Sequence, residues 1–153
     1  MPNFELKVPP PAVLLVLGLL MWLTARAAPD FGFVVPARNL WAILLIAGGL
    51  IVGFSGVLTF RKARTTVNPT TPQASSSLVT WGVYRLTRNP MYFGLLIVLT
   101  GWAIFLANAL VFLFLPAYIL YIGRFQITPE ERALSALFGQ EYAAYRARVR
   151  RWI

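Results

Sequence analysis

The sequence predicts an all-α membrane protein of about four transmembrane helices, the last two a tight hairpin, followed by a C-terminal amphipathic cytoplasmic helix. Three observations predict it. Of the 153 residues, 58% are apolar and only 12% charged, whereas a soluble domain carries about a quarter charged residues. The apolar residues fall in long uninterrupted runs, on the scale of the roughly 20 residues that cross a bilayer. The 14 Lys and Arg residues, against 5 acids, lie in the gaps between those runs and in the last turns. Charge placed this way reads as membrane orientation and contact with membrane lipids, and no nucleic acid is expected as a partner. The length suits one domain over residues 1–153. With no Cys and no His, disulfides, thiol chemistry and the usual zinc or haem ligands are excluded, and no metal is expected.

Span one covers about residues 10–28. Lys7 before it and Ala25-Arg26-Ala27 near its end also fit a cleavable signal peptide, but the Pro-rich approach and the apolar remainder favour a retained helix. Span two, about 40–60, is the clearest. Its Gly48, Gly49, Gly53 and Gly56 lie largely on one side and offer a small-residue face for close packing. Residues 61–89 form a polar loop rich in Thr, Pro, Ser and Asn; long irregular connections of this kind are usually functional or disordered. Apolar sequence then runs from Pro90 to Phe125. That is too long for one span, and it divides at Asn108 into arms of about 90–107 and 109–125.

Of the basic residues, only Arg26 and Arg38 lie between spans one and two. The positive-inside rule therefore places both termini, the 61–89 loop and the 126–153 tail in the cytoplasm. No charge interrupts residues 10–25, 40–60 or 91–123, which argues against a transporter or channel. In the tail, Leu134, Leu137, Phe138, Tyr142, Tyr145, Val149 and Trp152 recur at three- and four-residue steps. That spacing predicts an amphipathic helix, broken near Gly139, lying on the membrane or against the spans. By itself it could be no more than an electrostatic anchor for acidic lipids.

Two short segments stand out chemically. Asn89-Pro90 reads as a helix start, with Asn as cap and Pro in the first position. Tyr84, Arg85, Arg88 and Tyr92 surround it, at a helix N-terminus whose free N–H groups favour an anion or a ligand carboxylate. Thr128-Pro129-Glu130-Glu131 reads as a capping box, with Thr128 as cap and Glu131 closing it. Glu130, Glu131 and Glu141 are also three of the chain's five acids, and paired carboxylates beside a span could hold a cation.

The segment Gly82-Val83-Tyr84-Arg85-Leu86-Thr87-Arg88-Asn89-Pro90-Met91-Tyr92-Phe93-Gly94, then a helical hairpin, then Glu130-Glu131 with Leu134 closely resembles one membrane enzyme superfamily. This is the isoprenylcysteine carboxyl methyltransferase and phospholipid N-methyltransferase group. Thr65-Thr66-Val67-Asn68-Pro69 upstream, Phe138-Gly139-Gln140-Glu141-Tyr142-Ala143-Ala144-Tyr145 and Arg148-Val149-Arg150-Arg151-Trp152-Ile153 are similar to the same group. The resemblance covers roughly residues 60–153; spans one and two share only hydropathy with it. It implies S-adenosylmethionine bound on the cytoplasmic side, between the start of span three and the segment after span four. Gly82, Tyr84, Arg88, Asn89, Pro90 and Tyr92 would line the cofactor pocket, and Glu130 and Glu131 would contact its amino or ribose groups. Glu131 and Arg124 are the implied catalytic residues. Many members carry His where this chain has Asn89, while the phospholipid N-methyltransferases are similar to it in Asn-Pro-Met-Tyr.

The resemblance further implies methyl transfer to a lipophilic acceptor from the bilayer, in the manner of the isoprenylcysteine enzymes, or to the amine of a phospholipid. A carboxylate acceptor needs no general base, whereas an amine must first lose its proton. In a chain without His, Glu131 or a Tyr would have to take it. A non-catalytic membrane binding or scaffold protein is the alternative of another class.

Overall fold

The computed structural model describes residues 5–63 and 76–153. The Thr65–Pro69 part of the loop motif lies outside the described residues. The described residues form five α-helices: α1 (Pro10–Ala27), α2 (Arg38–Lys62), α3 (Pro90–Leu106), α4 (Phe114–Ile122) and α5 (Thr128–Arg148). Among the described residues the only extended pairing is an isolated antiparallel bridge between Gly32 and Asn108. α1, α2 and the helical path Ala109–Arg148 are long and apolar enough to cross a membrane; α3 is apolar and somewhat shorter.

α1 opens on Pro10 and Pro11, where missing N–H groups cost nothing because first-turn donors have no partner within a helix. Its Leu15 and Leu19 point outward, as do Ile43, Ile51 and Phe54 of α2. An apolar surface this extensive suits lipid rather than water. The innermost contact is between α2 and α3, and glycine makes it possible. A Cβ at Gly94 would lie 2.5 Å from the Gly49 carbonyl oxygen, and one at Gly49 would lie 2.6 Å from the Gly94 carbonyl oxygen. Gly56 meets Met91 and Pro90 further along, whereas Gly48 faces open space. The small-residue face is therefore built by Gly49, Gly53 and Gly56 without Gly48.

The hairpin turns where Asn108 predicts. Ala107 ends α3 in the left-handed region, with φ 49°. Asn108 is buried, accepts from the Leu110 N–H at 3.0 Å and donates from Nδ2 to the Ala28 carbonyl at 2.7 Å. The Phe33 N–H bonds the Ala107 carbonyl at 2.9 Å. One end of the bundle is thereby tied through the α1–α2 connection.

At the other end the chain does not break between α4 and α5. It continues through a π-helical stretch, Gly123–Ile127. The predicted capping box is absent for that reason: Thr128 is already helical, and its hydroxyl donates to the Gly123 carbonyl at 2.8 Å. An extra residue in one turn rotates α5 by about 100° relative to α4. The stretch is secured by the N-terminal segment. Gln126 Nε2 donates to the Val8 carbonyl at 2.7 Å and the Leu6 N–H to the Phe125 carbonyl at 3.0 Å.

In α5, Gly139 leaves helical geometry with φ 43°, at the break its sequence position suggests. Leu134, Phe138, Tyr142, Tyr145 and Val149 pack with Val79, Tyr84 and Phe60, while Leu137 is exposed. Trp152 packs against the larger cluster formed by α1, α3 and α4.

Replacing Gly94 by Ala should force α2 and α3 apart and cost about 1–3 kcal/mol, typical of an overpacked contact. Thermal unfolding in detergent should show a lower midpoint for Gly94→Ala and an unchanged one for Gly48→Ala. Equal midpoints would refute the close crossing.

Candidate functional site

The site forms where the start of α3, the start of α5 and the residues after α5 converge. Gly82, with φ 63°, opens a 3-10 turn, Gly82–Arg85, and lies against the Thr59 side chain. The positive φ favours Gly here because a Cβ would be strained. The turn carries Tyr84 inward, where its ring lies 5.1 Å from Phe60. Its backbone carbonyl accepts from the Tyr145 hydroxyl at 2.8 Å. The Tyr84 hydroxyl itself is buried with no partner among the described residues. Burial, with smaller contributions from Tyr145 and Glu130, pushes this phenol up, so it stays a neutral donor.

Pro90 takes the first position of α3 as predicted, but Asn89 does not cap it. Its side chain makes no cap bond. Nδ2 donates instead to the Arg151 carbonyl at 2.8 Å, and Thr87 Oγ1 donates to the same carbonyl at 3.2 Å. The Arg88 N–H bonds the Arg150 carbonyl at 3.0 Å. α5 ends as Val149 becomes extended, and the residues after it run back along 87–89 as a strap.

Glu131 is the electrostatic centre. It is 7% exposed and takes Arg88 Nη2 on Oε1 at 2.9 Å and Arg151 Nη2 on Oε2 at 2.5 Å. Arg151 Nε adds a contact to Oε1 at 3.2 Å. A carboxylate this deep needs such company, because an unpaired buried charge is costly. Arg88 also donates through Nη1 to the Arg146 carbonyl at 3.3 Å, yet its Nε is buried without a partner among the described residues. Beside this group, the Tyr92 hydroxyl donates to Glu130 Oε1. Burial raises Glu130 to about 8, against the Tyr92 bond that lowers it, with the charge of Glu131 raising it further.

Seven of the residues expected from sequence therefore meet here or adjoin it: Tyr84, Arg88, Asn89, Pro90, Tyr92, Glu130 and Glu131, with Gly82 shaping the turn that brings Tyr84 in. Arg124 is not brought to the cluster. Its side chain is largely exposed and pairs with Glu5 at 2.7 Å, and Glu5 also binds Arg132 at 2.5 Å. Thr87, Tyr145 and Arg151 belong to the site and were not singled out by sequence. Nothing in the spacing of the terminal arginines distinguishes Arg151 from Arg150.

A polar, arginine-rich site set at the ends of apolar helices defines a membrane-associated helical protein whose site lies at the edge of its apolar part. The pattern of phospholipid methyltransferases matches residues 37–141, and the chain belongs to that family. It is similar to a probable protein-S-isoprenylcysteine O-methyltransferase of Oryza sativa subsp. indica, 33% identical over 110 residues, covering 70% of this chain and 56% of that one. It is similar also to protein-S-isoprenylcysteine O-methyltransferase B of Arabidopsis thaliana, 30% identical over 112 residues, covering 71% and 55%. An uncharacterized protein of Haemophilus influenzae is 44% identical over 63 residues, 41% of this chain and all of that one. The chain thus spans a little over half the length of the plant relatives it matches. No solved structure matches it.

The position of Glu130 predicts a pH dependence. A carboxyl whose folded-state value is raised adds stability at low pH and loses it as pH rises through the folded value. No His titrates in the same window. The unfolding midpoint in detergent should fall by several degrees between pH 5 and about 8 and level off above. Glu130→Gln should remove most of that slope; an unchanged slope would dissociate Glu130 from it.

Proposed function

We propose that this chain transfers a methyl group from S-adenosylmethionine to a lipophilic acceptor drawn from the bilayer. The observation that carries the reading is the meeting of Arg88, Asn89 and Tyr92 with Glu130 and Glu131 across about 40 residues of sequence, through the Arg88–Glu131 and Tyr92–Glu130 contacts. Membership of a methyltransferase family supports it. The reading takes four spans, with both termini and the site in the cytoplasm, so that a water-soluble donor and a membrane-held acceptor arrive from opposite sides.

The residues present fit the donor. Its methionine end carries an ammonium and a carboxylate, and the site offers Glu130 and Glu131 for the first and the unpartnered Arg88 Nε–H for the second. Bound there, S-adenosylmethionine would supply a methyl group on a sulfonium, open to in-line displacement. The chain's part is to hold the two partners in line, which is where such a site gains most of its rate. Asn89, fixed through the strap, and Tyr92, fixed through Glu130 and through its carbonyl's bond from Tyr118 at 3.0 Å, are rigid enough for that.

An apolar groove beside them supports a lipophilic acceptor. A groove of about 330 Å³ lies between α1, α2 and α3, lined by Pro11, Gly53, Phe54, Met91, Tyr92 and Leu95 among others. Tyr92 borders this groove with its ring and the polar site with its hydroxyl. A carboxylate acceptor, as in the names of the plant relatives, would need no base. A second reading, an amine acceptor, is favoured by Glu130. With its value near 8, it is poised to take a proton near neutral pH.

Calorimetry on the purified chain should register S-adenosylmethionine binding, weakened about tenfold or more in Glu131→Ala, which loses charge-assisted contacts, and in Asn89→Ala, which loses its bond to the strap. Both variants should keep the helical circular-dichroism signal. Absence of heat for the unmodified protein at high concentration would sink the methyltransferase reading and leave a binding or scaffold role.

A further inference from the structure

Glu131 is held by two arginines in two different ways. The Arg88 side chain is 10% exposed and is fixed a second time by the Arg146 carbonyl. The Arg151 side chain is 38% exposed, and among the described residues its polar contacts go to Glu131. Its backbone, in contrast, is firmly placed. The Arg151 carbonyl accepts from Thr87 and Asn89, and the neighbouring Arg150 carbonyl accepts from the Arg88 N–H. The Arg151 side chain can therefore leave Glu131 while the strap stays docked.

Two further features point to what it would leave for. Glu131 alone accepts from the two guanidinium groups, while the neighbouring Glu130 is taken by the Tyr92 hydroxyl, so the arginines outnumber the carboxylates that pair with them. The Nε–H of Arg88, buried in the same place, has no acceptor among the described residues. Excess positive charge together with an unused buried donor is a site for an anionic group.

The geometry points to Arg151 as the residue that receives the α-carboxylate of the ligand's methionine moiety, by exchanging it for Glu131. The ligand's ammonium takes the place of the Arg151 guanidinium on Glu131, and its carboxylate is taken by Arg151 with the Arg88 Nε–H. One ion pair opens and an oppositely charged pair slots into it, so that charges alternate along the row. Arg151 is thereby a specificity residue for an α-amino-acid zwitterion, and the strap that carries it is part of the site. The inference rests on the S-adenosylmethionine reading and deepens it.

The test uses the full chain in detergent and two calorimetric titrants, S-adenosylhomocysteine and the same molecule lacking its carboxylate, S-adenosyl-3-thiopropylamine. The unmodified protein should prefer the carboxylated ligand by about tenfold or more, the worth of one charge-assisted contact. Arg151→Gln should weaken binding of that ligand alone and bring the ratio near one. Arg148→Gln, which alters an exposed arginine whose Nε bonds only its own helix, should keep the preference. An unchanged ratio in Arg151→Gln, or equal weakening of both ligands, overturns the assignment. Equal affinity of the unmodified protein for the two ligands overturns it without any variant. Failure of either ligand to bind the unmodified protein removes the underlying reading as well, a result distinct from binding without discrimination.

Discussion

Burying the Glu131 carboxylate is the constraint on which the architecture around the polar site turns. Two arginines from different parts of the chain converge on it, Arg88 from the approach to α3 and Arg151 from the strap after α5. Because an isolated charge at that depth would be strongly unfavourable, the carboxylate specifies where both segments must lie. Once they are placed, the backbone bonds from Thr87, Arg88 and Asn89 to the strap come into register. A single acid thus joins three segments that hydrophobic packing alone would leave free to slide.

The apolar half obeys a different rule. With lipid on the outside there is no water to expel, and helices associate by close contact. Gly49 against Gly94 provides it, bringing backbone to backbone. The start of α3 is fixed by that crossing, and so are the directions of Tyr92 and Pro90. Meanwhile the π-helical stretch turns α5 so that Glu130 and Glu131 face α3. Packing sets the frame, and electrostatics completes the site within it.

How far the sequence told this in advance depends on the range of the interaction. Local signals were legible: the break at Asn108, Pro90 at a helix start, the interruption at Gly139 and the apolar runs all arise from short-range preferences. Long-range partners were not. Asn89 looks like a helix cap because caps are what such residues usually do, yet its amide is spent on a carbonyl of residue 151. Thr128 looks like the cap of a new helix because a π-helical junction leaves no mark in composition. Arg151 is one of several terminal arginines until the fold selects it. Glu130 and Glu131 could be named from the resemblance, but their different roles, one paired with a phenol and one with two guanidinium groups, come only from geometry.

The N-terminal segment raises a point about assembly. Glu5 reaches Arg124 across 119 positions of sequence, Gln126 reaches Val8 across 118, and Asn89 reaches residue 151 across 62. Helices that need only their own backbone bonds can enter a bilayer one after another, whereas contacts this remote must wait for the closing of long loops. The clasp around the π-helical stretch and the strap over α3 therefore carry the largest loop-closure costs in the fold. The polar site is complete only once both segments have docked on Glu131, because neither arginine is near it in sequence.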